Sequence, residues 1–560
     1  MTWRYRFCLF IFLFGFLLVI GRLFYWQVVK AKELSNLGQL QYGTAVKVLP
    51  QRGEIKTSDN FPLATNKISY LVFANPKEVK NKKETAEILS SILKTDIASV
   101  SSNLSLNKVW VPIVSNIDTE TKKRVEALRF AGIGFDEQYT RFYPEASMAA
   151  SLLGFVGKDE EGNNKGYFGL EGYYDRLLSG ESGVAVQIKD AFGRPILAKM
   201  NSKSGKIDGK SLVLSLDRAI QFMVERKLRN GIEKYGAVSG MAAVMNPKTG
   251  EILAMANFPT FDPENYRIYS DDLYKNPFIS DLYEPGSTFK PLVMSAALDA
   301  DLVKPTTKCN ICAGPISMGG YIIHTWNDKY FKDINMIETI QRSDNTGMVF
   351  VAQKLGVSKM SEYLNKFGIG KLSQIDLQGE VFSPLKPQNQ WYEVDLATTG
   401  FGQGISITPI ELLSAVGTIA NGGKRMEPHV VKAVEDLDGN LSEIEPKVLD
   451  TTISISTAKV MAEIMINAVN KGEASWARVK GYRIAGKTGT ASIPIAGHYD
   501  PNQTIASFVG FAPANDPKFV MLVIINRPTT SIYGSETAAP VFFDIAKSIL
   551  SYYGISPEGE

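Results

Sequence analysis

Ser287 and Lys290 lie three residues apart in the segment Glu284-Pro285-Gly286-Ser287-Thr288-Phe289-Lys290. A hydroxyl and an amine at that spacing are the parts of an activated nucleophile. Pro-Gly predicts a turn just before Ser287, and the apolar run Pro291 to Leu298 predicts a helix after it, so the two side chains share a face at the helix start. A serine hydroxyl attacks weakly until an adjacent base accepts its proton, and a lysine is such a base once burial or a second cation lowers its pKa. The first amides of the helix favour negative charge developing beside Ser287. By itself S-x-x-K is a common accident in long chains. Two further segments give it weight. Ser343-Asp344-Asn345 lies between Ile340 and a helical run starting at Met348, and alone it reads as a helix cap. Ala485-Gly486-Lys487-Thr488-Gly489-Thr490-Ala491 follows the predicted strand Tyr482-Arg483-Ile484. Its small residues let an extended peptide lie along a strand edge, Lys487 supplies positive charge, and Thr488 and Thr490 offer hydroxyls to a free carboxylate. Lys248-Thr249-Gly250 repeats the tripeptide in a hairpin turn upstream, so K-T-G alone carries nothing. The ordered set of three, 56 and then 144 residues apart, is what identifies a serine acyl-transfer site.

The elements around these motifs predict an α+β domain. Ser211 to Leu216 reads as a strand, and Asp217 opens a helix bearing Ile220, Met223, Val224 and Leu228 at helical spacing. Gly240 to Met245 and Glu251 to Ala256 flank a Pro/Gly turn and make a hairpin. Ser507 to Phe511 and Phe519 to Ile525 are two further strands, and a final helix spans about Val541 to Tyr553. Strands from both ends of this region, with helices between, predict one mixed sheet whose flanks hold the chemistry. Upstream, residues from about 40 to 205 contain a strand at Ile68–Ala74, a helix at Thr85–Leu93 and a loop at Asp159–Gly166. Catalytic residue types do not gather there, and the region reads as a spacer or interaction module.

The chain has 560 residues, 44% of them hydrophobic and 21% charged, with a net charge of +3. That is ordinary globular composition. It lacks a long basic tract, which makes nucleic acid a poor partner. Cys309 and Cys312 have C-x-x-C spacing without a second Cys or His pair at zinc-site distance, so they read as a structural loop, reduced or locally bridged, rather than a metal or redox site. His324, His429 and His498 belong to neither a G-x-S-x-G elbow nor an H-E-x-x-H helix, and His324 reads as a structural residue near the site rim. At the N-terminus Arg4 and Arg6 precede the uncharged run Phe7–Gly21, and Arg22 is followed by Leu23-Phe24-Tyr25-Trp26. With Arg22 snorkelling and the aromatics at the interface, the segment reaches spanning length. A cleavage site does not follow, so a retained anchor is predicted over residues 1–27, with the N-terminal arginines cytoplasmic and the rest outside.

With these residues in view, the sequence resembles the class B penicillin-binding proteins. Gly400-Phe401-Gly402-Gln403-Gly404 with Thr408-Pro409, Thr249 to Met255, and Phe508-Val509-Gly510-Phe511-Ala512-Pro513 are similar to the transpeptidase part of that family. Arg52-Gly53-Glu54-Ile55, Arg141-Phe142-Tyr143-Pro144 and Gly169-Leu170-Glu171-Gly172 are similar to its pedestal, or dimerisation, domain. The resemblance implies a pedestal over 40–205 and a penicillin-binding-protein/β-lactamase-like domain over 215–556, a mixed sheet flanked by helices. It also implies a peptidoglycan D,D-transpeptidase without cofactor or metal. Ser287 would attack the penultimate D-alanine of a stem peptide, Lys290 would be the base, and Ser343 and Asn345 would relay protons and orient Lys290 and the substrate amide. Lys487 would add to the positive field, with Thr488, Gly489 and Thr490 holding the substrate and backbone N–H groups of Ser287 and Thr490 forming the oxyanion hole. Stem peptides and β-lactams are the implied ligands, the lipid bilayer the anchor's partner, and a membrane glycosyltransferase with other division proteins the implied assembly. The short anchor and lack of C-terminal modules look most like the division-specific type, although Asp344 stands where that type more often carries Ser. The alternatives are an elongation-specific transpeptidase, a hydrolase or a non-enzymatic scaffold. A β-lactamase needs a second base for deacylation, which Glu393-Val394-Asp395-Leu396-Ala397 matches only in part; for a scaffold, every motif position is needlessly intact.

Overall fold

A computed structural model describes residues 2–34, 43–188, 205–495 and 498–558, in two units. The first comprises the described parts of residues 1–52, 66–140 and 179–209, and the second those of 53–65, 141–178 and 210–560. The predicted start of the middle region at residue 40 lies outside the described residues.

In the first unit, helix α1 (Trp3–Phe24) continues through a wider turn over Tyr25–Val29, and all its side chains are exposed. These 27 residues are long and apolar enough to cross a membrane, since about 1.5 Å per residue gives roughly 40 Å against a ~30 Å hydrocarbon core. Arg22 lays its guanidinium 5.6 and 5.1 Å from the rings of Tyr25 and Trp26, so the one charge between Phe7 and Val29 has aromatic faces to rest on. Farther along, the helices Lys82–Leu93, Ile97–Ser105 and Thr119–Ala127 share a core of Val72, Leu89, Val100, Leu104, Ile117 and Val125 with neighbouring strands. Asp96 and Asp118 cap the second and third of these helices by accepting from Ser99 N and Thr121 N.

The second unit is built on a five-stranded sheet. Its strands are β1 (Ser239–Met245), β2 (Ile252–Phe258), β3 (Ala485–Ile495), β4 (His498–Ala512) and β5 (Phe519–Asn526), in the order β2-β1-β5-β4-β3. All four pairings are antiparallel; a parallel pair occurs in a second sheet, where Ile55–Lys56 runs alongside Ser211–Leu214. The two ends of the region thus meet as β1 against β5. Central strands of this kind are apolar on both faces. Ala242, Val244, Met521 and Val523 pack on one face with Ile220, Val224 and Leu228 of α2 (Arg218–Tyr235). Met241, Ala243, Val520 and Leu522 face the other layer, which contains α3 (Lys290–Asp299), α4 (Asn345–Lys366), α5 (Pro409–Ala420) and α6 (Ile455–Lys471). The terminal helix α7 (Ala538–Tyr552) joins the α2 face, where Phe542 packs at a tilt against Phe508 with ring centroids 4.5 Å apart.

Two local expectations change. The loop predicted at Asp159–Gly166 is a hairpin between Phe155–Lys158 and Asn164–Tyr167. Asp159 accepts from Asn163 N at 2.7 Å, so the residues that signal a loop here close a tight turn instead. The strand predicted at Tyr482–Ile484 starts at Ala485. Arg483 O instead receives Ala514 N–H at 2.8 Å, and the Tyr482 hydroxyl bonds Ile555 O at 3.1 Å. The Lys-Thr-Gly-Thr segment is therefore within the strand, not after it.

Candidate active site

A 3-10 turn over Gly286–Phe289 leads into α3, whose residues Lys290 to Leu298 are all buried. A helix apolar all round belongs inside a domain, and Lys290, on its first turn, is carried in with it at 0% exposure. Ser287, one turn earlier, stays half-buried. Inside, the Lys290 ammonium donates to Ser343 O at 2.6 Å, Asn345 Oδ1 at 2.8 Å and Ser343 Oγ at 3.3 Å. The Ser343 hydroxyl also bonds Ser287 Oγ at 2.9 Å. The predicted contact between Ser287 and Lys290 therefore runs through Ser343: one hydroxyl touches both.

Ser343 has φ +56. This left-handed conformation costs a non-glycine residue on the order of 1 kcal/mol, and it brings its carbonyl and hydroxyl together onto Lys290. The next residue, Asp344, caps α4 by accepting from Gly347 N at 2.8 Å and Thr346 Oγ1 at 2.6 Å. Capping of α4 and the hold on Lys290 are thus the work of consecutive residues in one triplet. Asn345 completes the group, its Nδ2 donating to His324 O at 2.9 Å, while the His324 ring turns outward to Asp328 and Tyr330.

The third motif lies on β3, the edge strand next to β4, where one row of backbone groups is left for a peptide to pair with. Gly489 lets the Ser287 turn approach it. A Cβ there would stand 2.4 Å from Ser507 Oγ, 2.7 Å from Thr288 Cγ2 and 3.3 Å from Pro285 O. Lys487, 3% exposed, donates to Thr488 O at 3.1 Å and Thr488 Oγ1 at 2.9 Å. Thr490 Oγ1 accepts from Gly534 N at 3.0 Å.

Two lysines buried this close cannot both hold a proton cheaply. Burial, and then the ammonium of Lys487, brings the Lys290 amine down to about 7, against the pull of the Asp344 and Glu473 carboxylates. Burial also lowers Lys487, with Glu473 opposing. The result is a hydroxyl chain ending on a lysine that is partly neutral at physiological pH, beside a strand edge and a second cation. Such a site suits transfer of an acyl group from a peptide through a serine ester.

The structure thus brings Ser287, Lys290, Ser343 and Asn345 into one hydrogen-bonded group, with Lys487, Thr488, Gly489 and Thr490 on the strand alongside. Sequence reasoning missed Glu473, which accepts from Thr488 Oγ1 at 3.3 Å and carries no motif. It also missed the Trp326–Tyr533 ring pair, with centroids 5.7 Å apart, beside residues that touch the site. Cys309 and Cys312 are joined by a disulfide.

Comparison with known proteins agrees with the geometry. Residues 240–547 match the penicillin binding protein transpeptidase domain, and residues 47–214 match the penicillin-binding protein dimerisation domain. The chain is 35% identical to Stage V sporulation protein D of Bacillus subtilis, over 98% of this chain and 86% of that protein. It is 29% identical to the peptidoglycan D,D-transpeptidase FtsI of Escherichia coli, over 100% and 93%. Penicillin binding protein 3 of Mycobacterium tuberculosis, solved in complex with aztreonam, superposes with a TM-score of 0.71 at 26% identity, covering 92% of this chain and 98% of that one.

Proposed function

The chain belongs to the class B penicillin-binding transpeptidases, and on that premise we propose that Ser287 is the nucleophile through which it cross-links peptidoglycan stem peptides. One observation carries the reading: a single buried hydroxyl, Ser343 Oγ, stands 2.9 Å from Ser287 Oγ and 3.3 Å from Lys290 Nζ.

Ser287 Oγ attacks the carbonyl carbon of the penultimate D-alanine, and its proton passes through Ser343 Oγ to the neutral amine of Lys290. The oxyanion faces the backbone N–H groups of Ser287 and Thr490, a placement supported by the turn's approach to the strand at Thr490. When the adduct collapses, the C–N bond breaks and the departing amine takes the proton from Lys290. D-Alanine leaves, and an ester remains on Ser287. An amine of a neighbouring stem peptide attacks that ester and gives its proton to the same relay; Ser287 regains its hydroxyl as the new amide departs. Thr488, Gly489 and Thr490 align the donor peptide along β3, Lys487 attracts its terminal carboxylate, and Asn345 holds Lys290 and the substrate amide. A β-lactam meets the same serine, but its amine stays tethered after the ring opens, so the ester persists. The aztreonam complex of the mycobacterial relative supports this.

The proposed domains are the anchor over 1–27, the pedestal over 40–205 and the transpeptidase over 215–556. Arg4 and Arg6, in the first turns of α1, support an N-terminus in the cytoplasm and a catalytic unit outside. Full-length similarity to FtsI supports a role in septal wall synthesis, with a membrane glycosyltransferase and other division proteins as partners. The higher identity to Stage V sporulation protein D favours a second reading, wall synthesis during sporulation. The test is a fluorescent fusion followed through growth and sporulation in cells whose native copy is replaced. Mid-cell signal in dividing cells supports the septal role; signal only in sporulating cells supports the second reading.

A further inference from the structure

The turn after α6 brings a carboxylate to the site that neither the motifs nor the mechanism above uses. Gln341 Nε2 donates to Lys471 O at 3.4 Å, which ties the end of α6 to the loop carrying Ser343. Glu473, two residues on, accepts the proton of Thr488 Oγ1 at 3.3 Å, while that oxygen accepts from Lys487 Nζ at 2.9 Å. Ammonium, hydroxyl and carboxylate thus form a chain along the third motif. The other Glu473 oxygen, Oε1, is buried without a hydrogen-bond partner among the described residues, so the nearby cations are what balances its charge.

We propose that Glu473 is a positioning residue for acylation: it fixes the Thr488 hydroxyl and serves as the counter-charge of Lys487, so that the shared proton stays on Lys487 and the neutral amine is Lys290. This rests on the reading of Ser287 as nucleophile and Lys290 as base.

Four charged groups face one another here: Lys290 from α3, Asp344 from the cap of α4, Lys487 from β3 and Glu473 from the turn after α6. The Asp344 carboxylate is engaged by its own helix start, through Gly347 N and Thr346 Oγ1. His324 offers the group only its carbonyl. Glu473 therefore has the spare negative charge, and it sits on the Lys487 side. Burial opposes a proton on either lysine, and only Glu473 acts to retain one on Lys487. Loss of its charge lowers the proton affinity of both lysines, because it also supports a proton on Lys290.

The test measures acylation of the purified full chain in detergent by a fluorescent penicillin, from pH 5.5 to 10. It compares wild type with Glu473→Gln, which retains an acceptor for Thr488, and with Glu473→Ala and Glu473→Asp. The expected result is a profile displaced to lower pH by about one unit in Gln and Ala. Acylation falls roughly tenfold on the alkaline limb while the acid limb is unchanged or faster, and Asp restores the wild-type position. Profiles of Gln and Ala that superimpose on wild type after scaling would overturn the proposal, and either variant alone is sufficient if the other does not fold. A wild-type chain that penicillin does not acylate on Ser287 defeats the transpeptidase reading instead, so the two failures are distinguishable.

Discussion

Replacing Ser343 by alanine tests the relay most sharply. In the wild-type site the Lys290 ammonium has three acceptors, and two of them, Ser343 O at 2.6 Å and Asn345 Oδ1 at 2.8 Å, survive the substitution. Lys290 therefore stays in place. What disappears is the one atom joining it to Ser287. A positioned general base contributes about 10²–10⁴ to a rate, so penicillin acylation of Ser343→Ala should fall by that factor while the protein stays folded. Ser343→Gly separates chemistry from strain. Glycine adopts φ +56 freely, which recovers roughly 1 kcal/mol and raises the melting temperature by about one degree above that of the alanine variant, yet its acylation should be just as slow. The assay is a stopped-flow acylation rate beside a thermal melt. Acylation of Ser343→Ala within threefold of wild type would refute the relay and leave Lys290 to take the proton directly.

Three further outcomes follow from the same geometry. Penicillin acylation should rise with pH through about 7, because Lys290 is a base only when neutral and its amine is brought down to about 7; a rate flat from pH 5.5 to 8.5 contradicts the assignment. Gly489→Ala sets a Cβ 2.4 Å from Ser507 Oγ and 2.7 Å from Thr288 Cγ2, so the Ser287 turn must move. It should cost about 1–3 kcal/mol by denaturant unfolding and slow acylation by at least tenfold. Glu171→Gln breaks the buried pair with Arg141, whose Nε lies 2.6 Å from the carboxylate, and should destabilise the chain by about 3–5 kcal/mol with little change in acylation of the protein that stays folded.

The chemistry was legible because each motif couples a residue type to a local structure. Pro285-Gly286 stops the chain before Ser287, the apolar run after Lys290 demands burial, and the cap reading of Ser343-Asp344-Asn345 holds, since Asp344 caps α4 while Ser343 and Asn345 bond Lys290. The meeting of the two chain ends in one sheet followed from apolar runs on either side of a helical middle. What the sequence hid was long-range. That Ser343 stands between Ser287 and Lys290 depends on a left-handed residue, which a serine does not announce. Glu473 reaches the site only because α6 ends where it does, and its neighbours Lys471 and Ala474 give no periodic or motif signal. The start of β3 was misplaced by three residues, because Tyr482 and Ile484 have strand-like chemistry, but Tyr482 and Arg483 are held by Ile555 and Ala514.

The central claim is that Ser287 is the residue acylated. The direct measurement is peptide mapping by mass spectrometry of the full chain after reaction with penicillin, alongside a Ser287→Ala variant shown to melt cooperatively. One penicilloyl adduct is expected, on the peptide containing Ser287, and none on the variant. An adduct on another residue, or equal labelling of the folded variant, would contradict it.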